Sequence, residues 1–360
     1  MKKIFCFLAV LIFSISMTSC AKENEAPEDE IYVCQSCQIC GGCVELQCPE
    51  GKNCQSGFVC QGHIDDNGFV MKGAVLLSYE GTDSDVVVPD GIIAIAARAF
   101  YNNIDITSIT IPDSVFYVGE DAFKDCLNVE YNFFEGQEYI DDVLVSIQNP
   151  LEVTTLNLKP TVTAVQGDPF GVCENLTAIN VDISNMRYTS KNGILFSKDE
   201  KELVRAPREA ISGSYSIPQS VKSIAYRAFS DCKGLTEIIF HNDIEIINNA
   251  AFDACFQLTS LTIPGNVRNI GEDAFVNCHQ LTKVTIGQGT RIIGNRAFFG
   301  NGQLVSITVP SSVQQIGTEA FSFCNKNCQL NYDGTKEKWD SIKKPDSSKG
   351  ASPKINYSDE

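Results

Sequence analysis

The sequence predicts an all-β-dominated chain: a solenoid of about 23-residue coils with short hairpin insertions, preceded by a small Cys-rich segment. Three observations carry this. The pair Ala-Phe returns at Ala228-Phe229, Ala251-Phe252, Ala274-Phe275, Ala297-Phe298 and Ala320-Phe321, each Phe 23 residues after the last. Apolar positions keep the same beat: Leu235, Leu258, Leu281 and Leu304, then Ile238, Leu261, Val284 and Ile307, then Phe240, Ile263, Ile286 and Val309. Later in each unit Ile247, Ile270, Ile293 and Ile316 recur, three of them followed by Gly. A fixed period in this range marks a solenoid, because each unit buries its apolar face only against its neighbours.

The spacing Leu-x-x-Leu-x-Ile is the strand part of a leucine-rich repeat, in which alternate side chains turn inward. The formal net charge of −17 argues against nucleic acid and anionic lipid as partners, since both need Lys/Arg surfaces.

In chain order, residues 1–19 read as a signal peptide: Lys2 and Lys3, an apolar run over 4–15, then small residues. The run is too short to span a bilayer. It ends Met17-Thr18-Ser19-Cys20, which resembles the lipobox of bacterial lipoproteins and implies lipidation at Cys20. Residues 20–32 are acidic and polar and are expected to form a tether. A Lys-acid cluster at its start resembles a surface-export signal of some Gram-negative lipoproteins, so an outer-membrane lipoprotein facing outward is expected.

Residues 33–62 hold Cys34, Cys37, Cys40, Cys43, Cys48, Cys54 and Cys60. Three Cys-x-x-Cys steps suit an iron–sulfur cluster or zinc. Export to an oxidising compartment favours disulfides instead, with one thiol of the seven left over and the connectivity open. No metal and no cofactor are therefore assigned.

The solenoid is expected over 63–330 and contains three interruptions. Gly73-Ala74-Val75-Leu76-Leu77-Ser78 is echoed by Asp142-Val143-Leu144-Val145-Ser146 and by Gly193-Ile194-Leu195-Phe196-Ser197. Each reads as a strand, a turn and a return strand (86–88, 155–158, 215–217) before a Pro. These hairpins stretch the Phe-to-Phe step from 23 to 47 and 59 residues. The coil before Phe170 is worn, with Pro169 in place of Ala. Residues 331–342 are expected to cap the last coil with Tyr332, Trp339 and Ile342, and 343–360 to be loosely ordered.

The unit Leu-x-x-Leu-x-Ile-Pro-x-x-Val-x-x-Ile-Gly-x-x-Ala-Phe-x-x-Cys, intact at 258–278, resembles the repeat of BspA-type bacterial surface proteins, the leucine-rich-repeat class also known from treponemal surface antigens. The hairpin sequence and the ending Tyr-Asp-Gly-Thr-Lys-Glu-Lys-Trp fit the same proteins. The resemblance covers 67–342 and implies the fold. It also implies a cell-surface adhesin that binds an extracellular protein or glycan, such as host matrix or another cell. A periplasmic or envelope scaffold binding a bacterial partner is the alternative.

Three residues after the repeat Phe stand Asn103, Cys126, Cys173, Cys232, Cys255, Cys278, Asn301 and Cys324. Neighbouring coils are close enough for disulfides, but a disulfide does not tolerate Asn at its position. Free, inward thiols that satisfy turn backbone are expected, as structural ladder groups, with Cys324–Cys328 the one pair left open. The three histidines, His63, His241 and His279, fall in no hydrolase, zinc-helix or phosphate-loop motif, so catalysis is not expected. Strand alternation turns one pair per coil outward: Ser108/Thr110, Tyr131/Phe133, Ala178/Asn180, Glu237/Ile239, Ser260/Thr262, Lys283/Thr285 and Ser306/Thr308. Tyr131, Phe133, Glu237, Ile239 and Lys283 are the candidate binding residues on that strip, with the adjoining hairpin expected to cover the aromatic pair.

Overall fold

The structure, a computed structural model, describes residues 63–344 and 354–358. Cys20, the seven cysteines of the Cys-rich segment, the signal peptide and the tether lie outside the described residues. The chain divides into two compact units. One holds residues 63–133, 138–146 and 163–167, and the other 134–137, 147–162 and 168–358.

In the first unit, Phe69–Lys72 pairs antiparallel with Val75–Tyr79, and from there Ala94–Ile95 and Tyr117–Val118 add parallel strands one coil apart. Opposite them Asp85–Val87 pairs in parallel with Ser108–Thr110. Phe69, Tyr79, Phe100 and Phe123 form a ring column between the two faces, with centroids 5.0, 5.6 and 5.4 Å apart.

The second unit repeats the plan at greater length. An eight-stranded sheet runs from the antiparallel hairpin Tyr188–Lys191/Ile194–Ser197 through Glu202–Arg205 to parallel two-residue strands ending at Gln315–Ile316. A seven-stranded parallel sheet runs from Ser212–Ser216 to Lys354–Tyr357. Between them Phe229, Phe252, Phe275, Phe298 and Phe321 stack at 4.8, 5.0, 5.4 and 5.8 Å with nearly parallel rings. This is the leucine-rich-repeat solenoid expected from the period. Among the described residues the only α-helix is Lys336–Asp340, capped by Thr335, whose hydroxyl accepts from the Lys338 amide.

Two local devices make a 23-residue coil close. The residue two before the repeat Phe adopts left-handed backbone without being glycine: Arg98, Asp121, Arg227, Ala250, Asp273, Arg296 and Glu319 all have φ between 50° and 59°. Such a residue costs on the order of 1–3 kcal/mol, so packing of the coil imposes the turn. The Gly after the recurrent Ile has a different reason. A Cβ on Gly294 would meet the backbone of Gly271 and Glu272 at 2.6 Å, and one on Gly317 would meet Asn295 N at 2.4 Å. Adjacent coils approach too closely there for any side chain.

Side chains also tie coil to coil. The hydroxyls of Thr259 and Thr282 donate to the carbonyls of Thr236 and Thr259, 23 residues back, at 3.2 and 3.0 Å. Arg296 grips Asp273 through Nε and Nη2 at 2.8 and 2.7 Å, joining two of the left-handed positions.

Three sequence expectations need correction. The return strands do not fold back as hairpins. Asp85–Val87, Thr155–Asn157 and Ser212–Ser216 pair in parallel with the next coil, and the first and third hairpins close upstream, at Phe69–Tyr79 and Tyr188–Ser197. The outward strip is also not one sheet: Thr155–Asn157 and Ala178–Asn180 form a two-stranded piece separate from the sheet that starts at Ser212. Finally, part of the tail is ordered. Lys354–Tyr357 pairs with Gln329–Asp333, whose free edge would otherwise leave backbone groups unpaired.

Candidate binding face

The outward side of the seven-stranded sheet is built by strand alternation over a filled core. Leu235, Ile238, Leu261, Ile263, Val284, Ile286, Ile307 and Val309 are buried, which fixes the residues between them outward. Parallel register then sets Ser214, Glu237, Ser260, Lys283, Ser306 and Gln329 abreast. Thr262, Thr285, Thr308 and Asn331 form a second row. Strands about 4.8 Å apart place the Cα atoms of Glu237 and Lys283 roughly 10 Å from one another, with Ser260 between. Ile239 lies 47% exposed two residues further along the strand that carries Glu237.

The polar groups are partly organised. Asn331 Nδ2 donates to Ser306 Oγ at 3.3 Å, and Asn356 Nδ2 donates to Gln329 Oε1 and Asn331 Oδ1, both at 3.0 Å. The face thus offers hydroxyl and amide groups, charges of both signs and the exposed aliphatic side chain of Ile239.

Tyr131 and Phe133 do not join such a strip. Residues Asn132–Phe134 belong to a different sheet, with Val143–Ile147 and Ala164–Val165. Beyond Ser108–Thr110, the Ile111 amide is taken by the Asp141 carboxylate at 2.8 Å, so the parallel ladder stops. Tyr131 is half-buried against the core of the first unit, whereas Phe133 is 65% exposed. The expected covering of the pair by a hairpin fails for Phe133. It shares this exposure with Val87, also 65%.

The residues three after each Phe are mostly interior donors. The thiols of Cys126, Cys255, Cys278 and Cys324 donate to the carbonyls of Phe100, Phe229, Phe252 and Phe298 at 2.9–3.2 Å, and Asn301 Nδ2 donates to the Phe275 carbonyl at 2.9 Å. Cys232 reaches the Ala206 carbonyl more loosely at 3.7 Å, and Cys173 is buried. All of these cysteines and Cys328 are free thiols. Burial pushes the Cys173 and Cys328 thiols up to about 11 and Cys232 and Cys324 up to about 12, and Cys255 and Cys278 rise for the same cause. A thiol held protonated is a donor and a poor nucleophile. Asn103 departs from the expected pattern. It is only half-buried, and its Oδ1 accepts from the Asp105 amide at 3.2 Å in a local turn.

His241 bridges coils at the edge of the array, its ring nitrogens facing the Pro218 carbonyl and the Gln219 amide. His279 stacks on Phe256 at 5.3 Å. No group of three His, Cys, Asp or Glu side chains among the described residues is placed to hold a metal ion.

Two features escaped the sequence reading. Arg205 is 2% exposed: its Nη1 donates to the carbonyls of Arg227 and Ser230, and its Nε faces Asp168 Oδ1 at 3.3 Å. The charge pair fills the worn coil flagged by Pro169. The other is a loop outside the repeat, where Ile183 and Met186 are 94% and 83% exposed. Buried Asn185 holds that loop, donating to the carbonyls of Pro160 and Val162 and accepting from the amides of Arg187 and Tyr188. Neither has a periodic signature that would have announced it.

A parallel-stranded solenoid with inward leucines, stacked phenylalanines and an open polar face is a leucine-rich-repeat protein. The chain belongs to the family described as the BspA type leucine rich repeat region, which matches it in six copies over residues 79–195 and 211–328, more than half of its length. No curated protein matches it. Among solved structures, a leucine rich cell surface protein from Faecalibacterium prausnitzii is 20% identical, with 81% of this chain and 100% of that one covered and a TM-score of 0.49. The pneumococcal vaccine antigen PcpA is 18% identical over 79% of this chain and 83% of its own, with a TM-score of 0.46. The Treponema pallidum leucine rich repeat protein is 18% identical over 71% and 82%, with a TM-score of 0.30.

Proposed function

We propose that this chain is a lipid-anchored, non-enzymatic protein of the bacterial cell surface. Its seven-stranded sheet face binds an extracellular protein or glycan, as an adhesin does. Family membership is consistent with protein binding. The observation that carries the reading further is the open face itself, where Glu237 and Ile239 on one strand and Lys283 two strands away are exposed over a buried core. Preorganised strands lose little freedom on binding, and an aliphatic group set among hydroxyls, amides and charges of both signs suits a polar interface with a small apolar centre.

Protease shaving of intact cells tests the location. Loss of the repeat region from an immunoblot, with a periplasmic control preserved, is the expected result. Survival of the chain until the outer membrane is broken would replace the adhesin with an envelope scaffold facing a bacterial partner.

A further inference from the structure

The last strand of the seven-stranded sheet differs from the others in origin. Each earlier strand belongs to the coil that follows its neighbour, whereas Lys354–Tyr357 arrives after the helix Lys336–Asp340 and pairs back onto Gln329–Asp333. Its register is fully specified: Leu330 faces Ile355, Asn331 faces Asn356 and Tyr332 faces Tyr357. Ile355 and Tyr357 pack inward against the core, and the Asn356 amide bonds to Gln329 and Asn331 on the other side. The Lys354 amide donates to the Cys328 carbonyl at 3.0 Å.

The strand nevertheless holds on by little. It has one neighbour, its two inward side chains are only half-buried, and Lys354 and Ser358 are exposed at its ends. The end of the core has a second cover, since Trp339 and Ile342 are 7% and 5% exposed and Trp339 packs edge-on against Tyr332 at 5.0 Å. Departure of the strand uncovers an edge of backbone donors and acceptors and leaves Trp339 against Tyr332. An edge that recognises alternate side chains and main chain is a strand-addition site.

We infer that the edge of Gln329–Asp333 is an acceptor for an extended strand, and that its partner is the Lys354–Tyr357 segment of a second copy of this chain, exchanged for the strand held in cis. The same sequence supplies both donor and acceptor, and reciprocal exchange closes a two-fold dimer with no new interface chemistry. Nine residues separate the strand from Lys344, enough to reach up to about 30 Å if extended.

Sedimentation of the full-length chain over a concentration series, with a labelled peptide of residues 352–360 as probe, tests this. The wild-type chain is expected to dimerise with concentration, and excess peptide to dissolve the dimer. Full-length Asn356→Pro, which loses the amide that faces Gln329–Asp333 in this register, cannot complete the ladder and should remain monomeric. It should bind the peptide at least about tenfold more tightly than wild type, whose own strand competes in cis. A chain that stays monomeric throughout overturns the inference. So does a dimer that survives excess peptide, or a folded Asn356→Pro chain, judged by Trp339 fluorescence melting, that does not bind the peptide. If that variant fails to fold, the response of the wild-type dimer to peptide decides alone.

Discussion

The thiol of Cys278 donates to the carbonyl of Phe252, 26 residues earlier and one coil back, at 3.2 Å. The same reach joins Cys255 to Phe229 and Asn301 to Phe275. Cys and Asn interchange because both are small interior donors, and neither is held for its reactivity. Under native conditions Cys232, Cys255 and Cys278 should resist alkylation and should give no linked peptides in a non-reducing digest, while unfolded chain labels at all three. Cys278→Ala should cost about 1–2 kcal/mol of stability through the lost donor. Rapid labelling of the folded chain at these sites would contradict the account.

Arg205 carries its charge inside the second unit with Asp168 as counter-ion. Arg205→Ala leaves a buried carboxylate uncompensated and should destabilise by about 3–5 kcal/mol in denaturant melts, and Arg205→Ala with Asp168→Ala should recover part of that. Additive losses would show that the two residues do not form a pair.

Gly294 sits where coil meets coil, and a Cβ there would lie 2.6 Å from backbone that cannot move aside. Gly294→Ala should lower the melting temperature by several degrees, corresponding to about 1–3 kcal/mol. Gly302, with open space around it, is the control, and Gly302→Ala should melt close to wild type.

Glu202 is half-buried on the strand Glu202–Arg205, and desolvation raises its carboxyl to about 7. The nearby Asp199 charge adds to the rise, and the Ser223 hydroxyl offsets part of it. Because the folded chain holds this proton more tightly than the unfolded chain, the contribution is fully present below about pH 4.5. It is lost as pH climbs to about 7. Melting temperatures across that window should fall more steeply for wild type than for Glu202→Gln. Parallel profiles would remove Glu202 as the cause.

The repeat was legible because a stacked core demands the same residue at the same place in each coil, and Phe229 to Phe321 show that demand without a gap. Inward and outward positions between Leu235 and Thr308 followed from alternation alone. What could not be read was what the apolar period does not carry. The Asp141 carboxylate that ends the ladder after Ser108–Thr110, and so diverts Tyr131 and Phe133, and the Ser190 hydroxyl that takes the Val181 amide after Ala178–Asn180 both lie off the 23-residue period. The same holds for the pairing of Lys354–Tyr357, which depends on an edge that exists only at the end of the array. Left-handed backbone at Arg98, Ala250 and Glu319 was equally hidden, since none is a residue whose chemistry announces that conformation.

The central claim is that the open sheet face binds. Its most direct test is an array of immobilised matrix proteins, mucins and glycans probed with the full-length chain and with a variant carrying Glu237→Lys, Ile239→Ser and Lys283→Glu. These three side chains are exposed and should leave the fold intact, which a melting curve checks. The account predicts at least one ligand held by the wild-type chain and lost, by about tenfold or more in affinity, by the variant. Equal binding by both, with the variant folded, would place recognition elsewhere and contradict it.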